Sequence, residues 1–247
     1  MRSIRQTFRV VIPALLLVGA LATPSAGAPV DLRTYRVTVT NLTAGQPLTP
    51  VLFATHNASA DVFTIGAPAS FGVKEIAENG NLAPLAESLE AAGRVSEVFV
   101  GGMPIVPEGL PGSALFPDSV TFEISGELGA HRLSWVSMLI CTNDGFTGLD
   151  SLKLPAHIGD QVTAATVGYD AGTENNTEDF ADIVPPCQAL VGVSSGEPGT
   201  GTSNPALAEG GVIHHHDGIA GGSDLLPEVH GWDVNAPVAE VIVERIA

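Results

Sequence analysis

Residues 35–40 read Tyr-Arg-Val-Thr-Val-Thr, a strict alternation of apolar and polar side chains. Successive side chains of a β-strand point to opposite faces, so this stretch predicts an antiparallel strand with one face on a core and one in water. Comparable β-prone runs lie at residues 50–55, 95–100, 120–125, 132–141, 161–167 and 238–246. Short strands separated by turn residues predict two packed sheets, an all-β antiparallel β-sandwich.

One segment follows a helical period instead. Residues 82–89 place leucine and alanine at helical spacing, Asn81 before them is a good N-cap, and Gly93 is a good stop. We therefore expect one short helix packed against the sandwich. Residues 194–204 are rich in Gly, Ser, Thr and Pro, which predicts a flexible loop rather than a boundary between domains.

The length of the chain favours one domain. At 247 residues with 45% hydrophobic content, it can bury a core of ordinary size. The 28 glycines and 18 prolines are scattered between the β-prone runs and form no repeat. We expect residues 29–247 to form a single β-sandwich domain.

The first residues have the pattern of an export signal. Arg2, Arg5 and Arg9 supply a positive start, residues 10–22 are apolar, and residues 26–28 read Ala-Gly-Ala, a small-residue cleavage site. A transmembrane anchor needs about 20 apolar residues, and the apolar stretch is shorter. The sequence therefore predicts a signal peptide at residues 1–28 and a secreted protein, extracellular or periplasmic.

The charge of the chain excludes some partners. The formal net charge is −17, and removal of the predicted signal peptide, with three arginines and no acids, makes it more negative still. Nucleic acids and anionic lipid surfaces are therefore poor partners. Most of the acids can be explained as a charged surface that keeps an exported protein in solution, so only clustered acids point to a cation.

Cys141 and Cys187 are the two cysteines of the chain. An even pair in an exported protein predicts one disulfide. The alternative is two buried free thiols, because the sequence does not give the distance between them.

Two loops at predicted strand ends carry acids. Residues 143–150 read Asn-Asp-Gly-Phe-Thr-Gly-Leu-Asp, and residues 169–174 read Tyr-Asp-Ala-Gly-Thr-Glu. Calcium takes about 6 to 8 oxygen ligands in irregular geometry, so Asp144, Asp170 and Glu174 could supply three carboxylates to one site. Asp-Gly turns are also common without a metal, and spacing alone favours that simpler interpretation.

Several motifs together resemble the spondin N-terminal domain. They are the Ser-Met-Leu-Ile run before the first acid loop, the two acid loops, and the runs at residues 35–43, 50–56 and 237–246. The similarity covers residues 34–246. It implies an antiparallel β-sandwich similar to C2 domains, with one calcium at its edge. The sequence contains no thrombospondin-type repeat, so the matrix roles of F-spondin-like proteins do not carry over.

The resemblance also implies the calcium ligands. Asp144 corresponds to the ligand of the first loop, and Asp170 and residue 174 to the ligands of the second. Glu174 stands where the family commonly has aspartate, and its longer arm changes the ligand distance. Asn143 and Asp150 are either extra ligands or residues that shape the turn. The predicted function is a secreted calcium-binding module for adhesion or binding, not catalysis, with an extracellular or cell-surface protein or glycan as partner.

A histidine cluster offers an alternative function. Residues 214–217 read His-His-His-Asp, and alternate imidazoles of an extended chain point the same way. With a third ligand from His56, His131, His157 or His230, the His214–His216 cluster could bind zinc or copper in a secreted metalloenzyme. The simpler interpretation is an exposed polar loop between glycines. The zinc-protease and phosphate-loop motifs are absent from the sequence.

Overall fold

The computed structural model describes residues 31–247, so the predicted signal peptide at residues 1–28 lies outside the described residues. The described part contains ten strands and four α-helices. The strands are β1 (Leu32–Asn41), β2 (Leu52–His56), β3 (Val95–Val100), β4 (Ser119–Glu127), β5 (Arg132–Met138), β6 (Gly145–Lys153), β7 (Gln161–Thr166), β8 (Gly168–Asp170), β9 (His214–His215) and β10 (Ala239–Arg245). The helices are α1 (Phe71–Asn79), α2 (Ala83–Ala91), α3 (Pro186–Val191) and α4 (Pro227–His230).

The strands form two antiparallel sheets, which confirms the predicted all-β sandwich. One sheet has the order β4-β1-β10-β7, and the other has the order β3-β2-β5-β6-β8-β9. Strand β10, near the end of the chain, lies between β1 and β7 and pairs Val243 with Val37. The first sheet therefore depends on residues from both ends of the described chain.

The six-stranded sheet is covered on both faces. Its inner face, with Phe53 and the stacked Trp135, packs on the alternating apolar residues of β1 and β10. Its other face, with Val136 and Met138, packs against the helices. Strand β2 is consequently buried at every position, whereas β1 alternates between buried and more exposed residues.

The predicted helix is present as α2, and three further short α-helices accompany it. Leu82 occupies the cap position instead of Asn81, although the Asn81 side chain still accepts a hydrogen bond from the Ala83 amide (3.3 Å). Gly93 follows the helix with a left-handed φ of 61°. Residues 194–204 contain no helix or strand, as predicted. No helix within residues 31–247 is long and apolar enough to cross a membrane.

The predicted disulfide is confirmed. Cys141, just after β5, is bonded to Cys187 in α3. Both cysteines are fully buried, and the bond joins the helical layer to the six-stranded sheet.

Candidate metal centre

The first acid loop is a tight turn between β5 and β6. The hydroxyl of Thr142 donates to the Leu139 carbonyl (2.6 Å) and accepts from the Gly145 amide (2.9 Å). A Cβ added at Gly145 would lie 2.5 Å from that hydroxyl oxygen, so the turn requires glycine. Asp144 stands immediately before β6 and is fully buried.

The second acid loop lies directly beside the first. Strand β8 pairs with β6 so that Asp170 is opposite Gly145, and the Ala171 amide donates to the Asp144 carbonyl (3.1 Å). Gly172 then turns with a φ of 66°, and a Cβ there would lie 2.5 Å from the backbone nitrogen of Val212. This turn carries residues 173 and 174 over the first loop.

The Asp144 carboxylate joins the two loops. Its Oδ2 accepts hydrogen bonds from the Thr173 amide (2.7 Å), the Thr173 hydroxyl (3.1 Å) and the Glu174 amide (3.0 Å). Its Oδ1 is buried and has no hydrogen-bond partner among residues 31–247. One oxygen is therefore saturated and the other is free to accept a proton or a cation.

Burial and neighbouring charges disfavour ionisation in this region. The pKa of Asp144 is raised to about 7, chiefly by burial and then by the charge of Asp170, although the amides that donate to it act in the opposite direction. The pKa of Glu174 is also raised to about 7, again chiefly by burial. The charges of Glu78, Asp144 and Asp182 raise the pKa of Glu174 further, and the Asn204 amide lowers it.

Glu78 is an acid of this region that the sequence interpretation missed. It lies on α1 with a side chain only 1% exposed, and neither carboxylate oxygen has a hydrogen-bond partner in the described chain. Lys74, one turn earlier, lies 3.5 Å from it. The helix was identifiable from the apolar spacing of Val73, Ile76 and Ala77, although that pattern would not have placed Glu78 beside Glu174.

Asp170 faces a different direction from Asp144. Its Oδ1 accepts from the Gly172 amide and its Oδ2 from the Asn176 side chain, both at 2.7 Å. It lines a cavity of about 430 Å³ together with His214 and His216. Asp144, Asp170 and Glu174 do not gather their oxygens within 4.8 Å of one another, whereas Cys141, Cys187 and His230 form such a group in the described part of the chain.

The two candidate extra ligands have structural roles. The Asn143 side chain donates to Thr177 (3.0 Å) and accepts from the Glu178 amide (3.1 Å), so it shapes the loop. Asp150 accepts from the Val62 amide and the Ser134 hydroxyl, both at 2.9 Å, and so ties β6 to its neighbours.

Within residues 31–247, none of His56, His131, His157 and His230 joins His214 and His216 in a group that could hold a metal. His214 and His216 both line the 430 Å³ cavity, as their alternation predicts. However, His56 bonds Ser134 (2.7 Å) and His230 lies beside the disulfide. Nδ1 of His216 accepts from the Gly218 amide (3.0 Å), which leaves the proton of the neutral ring on Nε2, where it blocks a metal bond.

Comparison with known proteins adds a family match. The Spondin_N family model matches residues 41–182, more than half of the chain. No curated protein matches the chain significantly. The matched segment includes both acid loops and the Asp144–Glu174 contact, but it ends before the histidine cluster and before β10.

Proposed function

The chain belongs to the Spondin_N family, and from that premise we propose that it is an exported, calcium-binding module that adheres to or binds a partner outside the cell. Spondin_N is an extracellular-type module and not a known enzyme family. Binding therefore accounts for this chain better than catalysis does. The partner we propose is an extracellular or cell-surface protein or glycan.

The observation that carries the proposal is the free, buried Oδ1 of Asp144. An ionised carboxylate without compensation is expensive inside a protein, by several kcal/mol after relaxation. It must either take a proton, as its raised pKa allows, or face a cation. The charges of Asp144 and Glu78 both oppose ionisation of Glu174, so a divalent ion relieves more repulsion than a single proton does.

The ligand chemistry favours calcium over other divalent ions. The candidate donors are carboxylate oxygens on irregular loops, which suit the variable geometry of Ca²⁺ better than the strict octahedron of Mg²⁺. Calcium–oxygen distances of about 2.3 to 2.6 Å require ligands within roughly 5 Å of each other. We therefore propose that binding draws the long arm of Glu174 toward Oδ1 of Asp144, and that the Asp170 side chain turns away from the cavity beside His214 to supply the third carboxylate.

A thermal melt in calcium and in chelator tests the proposal. At 100 times Kd, calcium should add about 2.7 kcal/mol of stability, which is on the order of 5 to 10 °C for a domain of this size. Asp144→Asn keeps the size of the side chain but removes its charge, so the shift should disappear. The exposed Asp217 provides the matched control, and Asp217→Asn should keep the full shift. Equal melting temperatures for the wild type in calcium and in chelator would contradict the proposal.

A binding assay tests the second half of the proposal. The wild type, immobilised, should retain a protein or glycan from the outer surface of the source cell more strongly in calcium than in chelator. Asp144→Asn should retain the same component equally in both buffers. If the wild type retains the same amount of the protein or glycan in calcium and in chelator while its melting temperature depends on calcium, the ion has a structural role only.

A further inference from the structure

Strand β4 lies at one edge of the four-stranded sheet. It pairs with β1 on one side, and no strand of residues 31–247 pairs with its other side. In an antiparallel pair, alternate residues direct their N–H and C=O groups toward the partner strand and away from it. The Asn41 amide donates to the Asp118 carbonyl (2.9 Å), so the even-numbered residues of β4 bond to β1 and the odd-numbered residues face the outer side.

Other parts of the chain cover both ends of this outer side. At one end, the Val106 amide donates to the Pro117 carbonyl (2.8 Å). At the other end, the Glu97 carboxylate on β3 accepts from the Ser125 amide (2.7 Å), and the Thr55 hydroxyl donates to the Ser125 carbonyl (2.6 Å). Side chains of the second sheet thus take the place of a neighbouring strand there.

The backbone between these covered ends is open, and we call residues 119–123 the β4 edge. Ser119, Thr121 and Glu123 are its odd-numbered residues, and their amides and carbonyls have no hydrogen-bond partner within the described residues. Thr121 and Glu123 are also exposed. Main-chain donors and acceptors at every second residue form the pattern to which an extended peptide adds as a strand.

An apolar cavity of about 340 Å³ lies beside the β4 edge. Val120 and Phe122 of β4 line one side of the cavity, and Phe99 and Met103 line the other. The rings of Phe99 and Phe122 stack with their centroids 4.1 Å apart, so they form a fixed part of the wall. Met103 and its neighbour Val100 are each 47% exposed. Exposed apolar side chains next to unpaired backbone groups favour a binding surface.

We propose that the β4 edge binds an extended segment of a partner protein as an additional antiparallel strand. The inference rests on the proposed binding function and narrows its partner to a protein, because main-chain hydrogen bonds carry the recognition. Apolar side chains on one face of the added strand enter the cavity. Side chains on its other face lie beside Glu123, where a lysine or arginine stabilises the pair of strands.

The charge of the chain disfavours a second copy of it as the occupant. The formal net charge is −17, so two copies repel each other. Arg36 already lies close to two acids, Glu123 (3.8 Å) and Glu244 (3.3 Å). A basic segment therefore complements this surface better than an acidic one does.

A synthetic peptide with the sequence Lys-Val-Lys-Val-Lys-Val-Lys, blocked at both ends, tests the proposal on the whole protein. Titration should shift the amide NMR signals of Ser119, Thr121 and Glu123 to saturation and slow their hydrogen exchange. In the added strand, the lysine amides face β4 and the valine amides face away. N-methylation of the lysine amides should abolish binding, and N-methylation of the valine amides should not. Equal affinities of the two methylated peptides would overturn the proposal.

Two variants of Thr121 test the same hydrogen bond from the side of the protein. Thr121→Pro removes the amide proton at an edge position, where proline is tolerated, and should weaken peptide binding about tenfold. Thr121→Val is the matched control, since it keeps the amide proton and also loses the contact with the Thr38 hydroxyl (2.8 Å). It should bind the peptide as the wild type does. Equal loss of binding in both variants would contradict the proposal.

Charge reversal and oligomeric state separate the remaining occupants. The peptide with glutamate in place of lysine should bind the wild type at least about tenfold more weakly, and Glu123→Lys should narrow that difference. A dimer of the free protein that Thr121→Pro converts to a monomer would assign the β4 edge to a second copy and refute a separate partner. If the melting temperature responds to calcium but the lysine peptide does not bind, this inference fails and the proposed calcium function stands.

Discussion

Asp144 distributes its hydrogen bonds unevenly between its two carboxylate oxygens. Three donors from residues 173 and 174 saturate Oδ2, while Oδ1 has none in the described chain. The donors hold the loop in place whether the group is ionised or protonated. The net charge at this position depends on Oδ1, because only Oδ1 can bind a proton or a cation that compensates the negative charge of the carboxylate.

The stability of the metal-free protein should therefore decrease with rising pH. Asp144 and Glu174 have pKa values raised from 3.8 and 4.5 to about 7 in the folded protein. Between about pH 4 and 7 the folded state then binds more protons than the unfolded state, so the free energy of unfolding falls across this window and levels off above it. Urea denaturation in chelator at pH 5 and pH 8 measures the difference.

Variants identify the groups responsible for this pH dependence. Asp144→Asn should reduce the difference between pH 5 and pH 8, and Asp217→Asn should not. Calcium competes with the protons, so its stabilising effect should be larger at pH 8 than at pH 5. A wild type more stable at pH 8 than at pH 5 in chelator would show that these carboxyls are not the dominant titrating groups.

Glu178 shows how a buried acid is stabilised without a metal. It has a left-handed φ of 56°, and its carboxylate accepts from the amides of Ala220 (2.5 Å), Gly221 (2.7 Å) and Gly222 (2.7 Å). Both oxygens are thus satisfied, in contrast to Asp144. The carboxylate fixes residues 220–222 against the segment that follows the second acid loop.

Glu178→Gln should therefore lower the free energy of unfolding by about 2 kcal/mol, since hydrogen bonds to a charged group are worth roughly 1.5 to 3 kcal/mol. The NH2 group of glutamine replaces one accepting oxygen, so it faces a backbone N–H donor from which it cannot accept. Urea denaturation checks the value, and the exposed Glu209→Gln is the control, with a change within about 0.5 kcal/mol. If Glu178→Gln left the free energy of unfolding unchanged, the loop would not need this carboxylate.

Among the elements, β6 shows where sequence interpretation failed. The run Gly-Phe-Thr-Gly-Leu-Asp was interpreted as a loop because of its glycines and aspartate, yet it is the first part of a nine-residue strand. Gly148 is needed there because a Cβ would lie 2.2 Å from the Trp135 carbonyl oxygen. Glycine in this strand marks close backbone approach rather than a turn, and only the position of the neighbouring strand reveals it.

Gly148→Ala should consequently force β5 and β6 apart and lower the free energy of unfolding by about 3 kcal/mol, the upper end for overpacking. Gly102→Ala is the matched control, because no atom lies within 4 Å of a Cβ there and its φ is not left-handed. That variant should change stability by less than about 0.5 kcal/mol. Similar urea midpoints for the two variants would contradict the close-approach interpretation of Gly148.

The candidate site was also only partly predictable from the sequence. The sequence identified both acid loops because each follows an apolar strand, and the structure brings those loops into contact through Asp144. It could not show that Asp170 faces the histidine side or that Glu78 approaches from a helix. Those positions depend on tertiary packing between distant segments, which local periodicity does not encode.

At the scale of the whole molecule, the family match and the folding unit differ in extent. The match ends at residue 182, but β10 occupies a central position in the four-stranded sheet, between β1 and β7. Val241 and Val243 of β10 are fully buried against the six-stranded sheet. The segment after residue 182 also supplies Cys187 and His230 to the core.

Deletion of residues 238–247 should therefore unfold the domain, although it leaves the whole family-matched segment intact. Loss of β10 exposes the apolar faces of β1 and β7 and leaves two unpaired strand edges, which favours aggregation. The control replaces residues 194–198, in the loop without helix or strand, by glycine and serine of equal length, and should retain a cooperative melt. Circular dichroism melts and size-exclusion chromatography compare the two. A deletion variant that remains monomeric and melts cooperatively would show that β1 and β7 can close the sheet without β10.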